Sequence, residues 1–480
     1  MFDKEELAYY IRAKQREITH LSKRSLLFNE KKFNHRVDYY RIKSHLDQFM
    51  EKEYYNRFIV MPGLRGVGKT TILYQIYQYL IESGVSNSDI LYVDVGELKS
   101  FFDYSLFDLI TVFLNNIHQT SIVNLDKKLY ILVDEAHLDD NWANVGKYVF
   151  DRTKNIFMIF TGSSALDLEL NVDAVRRVKK EQIFPCTFPE YLHLNYDMDY
   201  PCRMSGYLTD LILKGNSKSF ALALEEENKI NNNLSALNND AEIEFRKFLF
   251  SYGFPYSIHL SEDEIHKKTV DTIDRIIMKD IPAIKHFKSN GNISRIITYL
   301  AMQKPGGISN KKLAQSLELS SKTVNEILDS LEKTQLIISL KPYGTGGKVL
   351  KKPWEYFFLS PSIKASINYE IGRYDIISDK CFAALAETMV MASLYKLKIT
   401  GKNHLGLFYD GNKKGVDFLV HNVDRIIPVE VGIGKKTKSQ LTKAIGEYGS
   451  DYGILVSNRT SEIKYENDII YIPLMTFSYL

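Results

Sequence analysis

The chain has 480 residues, 45% of them hydrophobic and 25% charged, which is the balance of a globular protein and not of a disordered one. Single cores stop growing near about 250–300 residues, so several domains are expected. A formal net charge of +3 is too small to point to a nucleic-acid partner, and any basic surface must be local. Cys186, Cys202 and Cys381 lie far apart without metal-ligand spacing, which suits a reducing interior. The start, Met1-Phe2-Asp3-Lys4-Glu5-Glu6, does not read as a signal peptide, and no apolar run reaches the roughly 18 residues of a membrane span. A cytoplasmic protein without a membrane partner is expected.

In chain order, residues 1 to about 55 read as polar and helical, packing beside the next domain, with Arg36 to Arg41 placed towards a nucleotide base. The stretch Gly63-Leu64-Arg65-Gly66-Val67-Gly68-Lys69-Thr70 comes after an apolar strand, Phe58-Ile59-Val60-Met61, and opens into a helix at Thr71. Strand, glycine-rich loop and helix together make a phosphate-binding loop. Its N–H groups and the helix N-terminus favour an anion. Lys69 is placed to reach the β- and γ-phosphates and Thr70 to hold Mg²⁺. Gly63, Arg65, Gly66, Val67, Gly68, Lys69, Thr70 and Thr71 are the expected binding residues for a nucleoside triphosphate.

Further apolar runs at Ile90 to Val95, Lys128 to Asp134 and Asn155 to Phe160 alternate with helices such as Phe107 to Ile117. That pattern predicts a parallel sheet with its site at the strands' carboxyl ends. Asp134 and Glu135 close one strand. A buried acid there is costly unless a cation offsets it, so Asp134 is assigned to Mg²⁺ and Glu135 to polarising the attacking water. Thr161 or Ser163, in Thr161-Gly162-Ser163-Ser164, would put a polar group near the γ-phosphate. In Asp173-Ala174-Val175-Arg176-Arg177-Val178-Lys179-Lys180, spacing alone favours a solvated helix face; the sharper reading is an arginine that stabilises charge on the transferred phosphate.

The loop, Asp134-Glu135, Thr161 to Ser164, Arg176-Arg177 and Phe188-Pro189-Glu190-Tyr191-Leu192 together resemble the AAA+ ATPases of bacteria and archaea. The resemblance is to the branch that ends in a restriction-endonuclease-like domain, and Gly253-Phe254-Pro255 and Ile276-Ile277-Met278-Lys279-Asp280 fit it as well. It implies ATP as the nucleotide, Arg176 or Arg177 as an arginine sensor or finger, homo-oligomers, and DNA as the client.

Residues 205–290 read as mostly helical, with the Asn-rich Glu225 to Asp240 as an exposed loop or insertion within a lid. From Asn292, the helix Ile293 to Met302, the turn Gly306-Gly307-Ile308-Ser309-Asn310 and two more helices precede two strands around Gly344-Thr345-Gly346-Gly347. That order predicts a winged helix-turn-helix. Glu326, Asp329 and Glu332 on its third helix oppose phosphate approach. The hairpin, with Lys341, Lys348, Lys351 and Lys352, is the better DNA face, and protein docking is the other use of such a unit. Near the end, Glu387 on a helix with Asp417 and Glu430 on adjacent strands resembles the order of PD-(D/E)xK nucleases, which would gather Mg²⁺ against a phosphodiester. Their lysine position is Gly432 here. Lys435 or Lys436 reaching in would restore the site; otherwise the fold serves binding, with Lys413, Lys414, Lys438 and Lys443 tracking a backbone.

The expected fold is α/β. An N-terminal helical segment (1–35) leads to a P-loop AAA+ core with a parallel sheet (36–200) and a helical lid (201–290). A winged helix-turn-helix (291–365) and a restriction-endonuclease-like α/β domain (375–480) complete the chain. The expected activity is ATP hydrolysis that controls a DNA-binding arm. A nucleotide-gated scaffold and an ATP-regulated nuclease are the alternatives.

Overall fold

The fully buried strands fall on unbroken apolar runs. In the computed structural model, β1 (Leu27–Phe28) and β2 (Lys31–Lys32) form a small antiparallel ribbon, and the larger strands come after it. The structure describes residues 4–102, 104–163, 175–200, 203–237, 239–287, 289–303, 309–344, 352–401, 404–412, 414–434 and 438–480. Cys202, Ser164, Asp173, Ala174, Gly306 to Ile308, Thr345 to Lys348, Lys351, Lys413, Lys435 and Lys436 lie outside these residues. The chain divides into two compact units, Met1–Phe184 and Pro185–Leu480.

In the first unit, β3 (Phe58–Pro62), β4 (Ile90–Asp94), β5 (Leu129–Asp134), β6 (Ile156–Gly162) and β7 (Lys179–Lys180) form a sheet in the order β4-β5-β6-β3-β7. Every neighbouring pair is parallel. Strands β3, β5 and β6 are buried along their whole length, which is why they read as unbroken apolar runs. With all strands running one way, Pro62, Asp94, Asp134 and Gly162 arrive at one edge. The N-terminal helix Lys4–Ser25 buries Leu7, Tyr10, Ile11 and Ile18 at helical spacing. Leu7, Tyr10 and Ile11 share a core with Leu91, Val93 and Leu109. The Gln15 side chain donates to the carbonyls of Ser88 at 3.2 Å and Ile90 at 3.1 Å. This helix is thus built into the first unit.

The second unit begins with helices Phe188–Tyr196, Met204–Lys214 and Ser217–Leu234. The expected loop over Glu225 to Asp240 is helical as far as Leu234. Ala223, Glu227, Ile230 and Leu234 recur on one buried face, and that periodicity outweighs the poor helix propensity of Asn231 to Asn233. This helical pair packs on the end of the chain. Tyr452 donates to the Ile212 carbonyl at 2.7 Å, and the buried Glu227 carboxylate accepts from Ile463 N at 2.6 Å and Thr476 Oγ1 at 2.5 Å. Gly215 lies so close that a Cβ there would sit 2.3 Å from the Tyr452 ring. Helix Glu262–Arg275 packs on helix Pro361–Glu370, where His266 Nδ1 meets Ser366 Oγ at 2.9 Å. Gly253 faces Ser360 and Ser362 in the same way, and a Cβ there would come within 2.1 Å of Ser362 Oγ.

Helices Asn290–Met302, Asn310–Leu317 and Ser321–Lys333 precede an antiparallel pair, β8 (Ile337–Pro342) and β9 (Glu355–Phe358). That pair does not end a separate module. β8 pairs in parallel with β10 (Leu405–Tyr409), through Phe408 with Lys341 and Tyr409 with Pro342. The sheet continues through β11 (Phe418–Asn422), β12 (Arg425–Gly432), β13 (Gly453–Ser457), β14 (Lys464–Glu466) and β15 (Ile469–Pro473), in the order β14-β15-β13-β12-β11-β10-β8-β9. Helix Asp379–Thr400 precedes β10, and helix Ser439–Tyr448 connects β12 to β13.

Candidate nucleotide site

The phosphate loop leaves β3 at Gly63, which forms a parallel bridge with Ile183. Only glycine fits there, because a Cβ would lie 2.5 Å from the Ile183 carbonyl oxygen. Gly66 and Gly68 take φ values of 88° and 93°, a region that side-chain-bearing residues avoid. Helix Lys69–Glu82 has Gly68 as its N-cap, which brings no side chain to the N–H groups of the first turn. The Lys69 side chain, 7% exposed, donates to the carbonyls of Gly63 at 2.8 Å and Leu64 at 3.1 Å. An ammonium held inside a loop that leads into a helix N-terminus suits a polyphosphate.

Thr70 and Asp134 meet across the sheet edge, with Thr70 Oγ1 donating to Asp134 Oδ2 at 2.6 Å. The other oxygen of Asp134 accepts from the Thr161 hydroxyl and from Glu135 N at 3.1 Å. Asp134 is 3% exposed and Thr161 is fully buried. Asp94, paired in register with Asp134, is pushed above the ordinary carboxylate range, chiefly by burial, with the Asp134 charge adding to it. Two acids at the tips of adjacent strands make a place where a divalent cation would relieve repulsion. A Thr hydroxyl beside a carboxylate is a donor set that fits Mg²⁺.

Glu135 comes next in the left-handed region at φ 52°, which swings it out of the strand direction. Its Oε2 lies 3.5 Å from Arg65 Nη2 and 3.6 Å from His137 Nε2. Thr161, one of the two residues expected near the γ-phosphate, donates to Asp134 and accepts from Glu135 N at 3.4 Å. Ser163, just beyond the end of β6, has a buried hydroxyl without a hydrogen-bond partner among the described residues. Thr71 lies in the first turn of the helix behind the loop.

Arg176 and Arg177 are not brought to this edge. They precede β7, whose Lys179 pairs with Ile59 at the start of β3. Arg177 is paired with Asp151, and the Arg176 carbonyl accepts from Tyr55 at 3.2 Å. Arg36, expected near a base, is buried and donates to the carbonyls of Val67 at 2.6 Å and Phe184 at 3.0 Å. Arg41 bonds to Asp38 and to the Gln182 carbonyl. Both arginines brace backbone around the loop. A sequence offers no sign of carbonyls arriving from so far along the chain.

In the second unit, Asp417 and Glu430 are adjacent. Val431 N donates to Asp417 Oδ2 at 2.7 Å and Asp417 N to Glu430 Oε2 at 3.3 Å. Glu355 on β9, which sequence reasoning missed, is raised to about 7 by burial, with the Asp417 charge adding. Burial pulls Lys364, whose ammonium donates to the Gln303 carbonyl at 2.7 Å, down to about 8, although the Glu387 charge favours the ammonium. Among the described residues, no group of three or more His, Cys, Asp or Glu side chains is disposed to hold a metal ion. Glu387, Asp417 and Glu430 therefore do not assemble as a metal cluster. Also among the described residues, no helix is long and apolar enough to cross a membrane.

The parallel sheet, the phosphate loop and the Thr70–Asp134 pair define a P-loop protein of the AAA class, and the model of the AAA domain matches residues 55–192. Two domains of unknown function, DUF8612 and DUF4143, match residues 242–367 and 382–477. The chain is 30% identical over 466 residues to the uncharacterised protein MJ1637 of Methanocaldococcus jannaschii, covering 96% of this chain and 92% of that one. It belongs to the family of that archaeal protein. An uncharacterised Haemophilus influenzae protein is 23% identical over 401 residues, with 81% and 86% covered. Among solved structures, the RuvB Holliday junction branch migration motor of Thermotoga maritima is similar at TM-score 0.30 and 13% identity, over 64% of this chain and 89% of that one. The Aeropyrum pernix ORC2 protein in its ADP form is similar at TM-score 0.33 and 11% identity, over 74% and 99%.

Proposed function

We propose that this protein binds and hydrolyses ATP, and that its nucleotide state controls a DNA-binding second unit. The observation that carries the reading is the linked set Lys69, Thr70, Asp134 and Thr161, built on the carboxyl edge of one parallel sheet. In this reading Lys69 and the N–H groups of Gly66 to Thr70 hold the phosphates. Thr70 and Asp134 would hold Mg²⁺, which would supply charge neutralisation to the phosphates. Glu135 orients the attacking water and takes its proton. Thr161 fixes the rotamer of Asp134, and the Ser163 hydroxyl, buried at the end of β6 and without a partner among the described residues, takes the place proposed for a contact to the terminal phosphate.

The arginines act between subunits. Arg177 is two residues before Lys179, which is level with Ile59, whereas the phosphates bind beyond Gly63. At about 3.3 Å per residue, six residues of strand put roughly 20 Å between them, farther than an arginine reaches. Arg176 or Arg177 would therefore serve the site of a neighbouring copy, and a homo-oligomer is required for full activity.

The second unit is proposed as a winged helix-turn-helix fused to a restriction-endonuclease-like sheet. The support is the element order from Asn290 to Phe358 and the βα arrangement from Asp379 onwards. Lys341 and Lys352 give it phosphate-contacting groups. Binding is favoured over cutting, because Gly432 occupies the lysine position and Asp417 and Glu430 spend hydrogen bonds on backbone N–H groups.

The test is ATP turnover by the wild type, Lys69→Ala and Glu135→Gln, with and without double-stranded DNA. Turnover that DNA raises and that each substitution lowers at least about 10²-fold is expected. Robust turnover that ignores DNA would point the second unit to protein docking. Turnover that survives Glu135→Gln would remove Glu135 as the base.

A further inference from the structure

The strand-tip residue that sequence reasoning overlooked is His137, on the short turn Ala136–Leu138 that comes after β5 and Glu135. It is 6% exposed, so its ring is held by its surroundings. Two of its contacts bear on Glu135. Ser163 N lies 3.4 Å from His137 Nδ1, and an amide N–H can only donate, so Nδ1 must present its lone pair. In a neutral imidazole the proton then sits on Nε2, and Nε2 is the atom that faces Glu135 Oε2 at 3.6 Å. The ring therefore bridges the tip of β6 and the carboxylate at the tip of β5.

We infer that His137 is the positioning residue for Glu135, setting the carboxylate's rotamer from the backbone of Ser163. The inference rests on the reading of Glu135 as general base. At 3.6 Å the Nε2–H to carboxylate contact is longer than a formed hydrogen bond, and a shift of about 0.6 Å would close it. Arg65 approaches the same oxygen from the phosphate loop at 3.5 Å. Glu135 is thus steered from two directions, by the loop that holds the phosphates and by the strand tip that carries Ser163. A ligand that displaces Ser163 N moves the ring and, through it, the base. Carboxylate placement within a few tenths of an ångström governs general-base efficiency, so the effect belongs to the chemical step and not to nucleotide affinity.

The test compares the full-length wild type with His137→Ala, His137→Gln, Glu135→Gln and the double variant His137→Ala with Glu135→Gln. Turnover and the Kd for a fluorescent ATP analogue are measured side by side. His137→Ala should lower kcat about 10- to 50-fold with Kd changed less than about 3-fold. His137→Gln, whose amide N–H₂ can occupy the Nε2 position, should recover at least a third of that loss on a logarithmic scale. In the Glu135→Gln background, removing His137 should cost nothing further. In nucleotide-free protein, the ¹⁵N shifts of the His137 ring, assigned through their loss in His137→Gln, should report the Nε2–H tautomer. The inference is overturned by unchanged kcat in His137→Ala, by equal losses in the Ala and Gln variants, by an additive double variant, or by the Nδ1–H tautomer. Failure of the underlying reading looks different: a wild type without turnover, or one indifferent to Glu135→Gln, removes both.

Discussion

The carboxylates at the tip of β5 and those of β11 and β12 read alike in the sequence, as acids closing apolar runs, yet the two regions treat them differently. Asp134 takes hydroxyls from Thr70 and Thr161 on its two oxygens, and one of those oxygens also takes the N–H of the next residue, Glu135; the two hydroxyl contacts come from side chains that a Mg²⁺ ion could join or replace. Asp417 takes the backbone N–H of Val431, and Glu430 takes the backbone N–H of Asp417. Bonds of that kind fasten strand to strand. The difference teaches that an acid's usefulness as a ligand depends on what already satisfies it. Side-chain hydroxyls rotate away at little cost, whereas a buried backbone N–H left without an acceptor costs about 1–3 kcal/mol.

The largest effect that can break this comparison is on the first region. Lys69→Ala and Asp134→Asn should each lower turnover by at least about 10²-fold, because each removes a charge from a buried site. The companion pair, Asp417→Asn and Glu430→Gln, should leave turnover within about 2-fold of wild type. Magnesium-dependent cleavage of DNA by the wild type, lost in either companion variant, would erase the contrast between the regions.

The next effect tests the distance argument. Arg176→Ala or Arg177→Ala should lower turnover by about 10²-fold or more. Mixing the affected variant with Lys69→Ala protein should restore part of it, since one protein then supplies the nucleotide site and the other the arginine. If each variant alone is inactive and the mixture is too, the arginine acts within its own subunit and the strand-length estimate is wrong. Arg177, already paired with Asp151, is the less available of the two in a single chain.

A smaller effect concerns Thr161. Its hydroxyl is buried against Asp134, so Thr161→Val keeps the shape and removes one donor. Turnover should fall about 10-fold and the Mg²⁺ dependence should move to higher concentration. Ser163→Ala should lower kcat without moving that Mg²⁺ dependence, which separates the two strand-tip residues.

Much of the first unit was legible because its signals are local. The loop glycines, the apolar runs of β3, β5 and β6, and the acids at Asp134 and Glu135 are each carried by a few consecutive residues. The Thr161–Asp134 bond joins strands separated by a helix, and a sequence shows only that both residues are polar and at strand ends. For Arg36 the sequence suggests a base, whereas the Val67 and Phe184 carbonyls to which it donates are backbone atoms with no residue signature. The second unit was less legible for the same reason on a larger scale. The pairing of β8 with β10 is parallel and non-local, and nothing in Ile337–Pro342 distinguishes a free hairpin from the edge of a larger sheet. The hidden periodicity of Ser217–Leu234 was masked by asparagines on its outer face.

That pairing is what places Glu355 near Asp417, and it yields the finest test of the contrast. Burial raises Glu355 to about 7, with the Asp417 charge adding to the shift. The folded protein therefore keeps a proton there that the unfolded chain releases near the ordinary carboxylate value. Between those two values the folded state binds more protons, so stability falls as pH rises, and the fall is complete above about 7. Glu355→Gln removes the titration and should make the second unit more stable than wild type at pH 8, by the order of 2–3 kcal/mol, with little difference at pH 4. Denaturant melts at the two pH values measure it. A Mg²⁺ ion bound between Asp417 and Glu430 would cancel part of the Asp417 charge and shrink the pH 8 gain. Melts repeated with millimolar Mg²⁺ thus ask of the second region what Thr70 and Asp134 ask of the first, whether these acids take a cation at all. A gain that Mg²⁺ leaves unchanged keeps Asp417 and Glu430 as fasteners of the sheet.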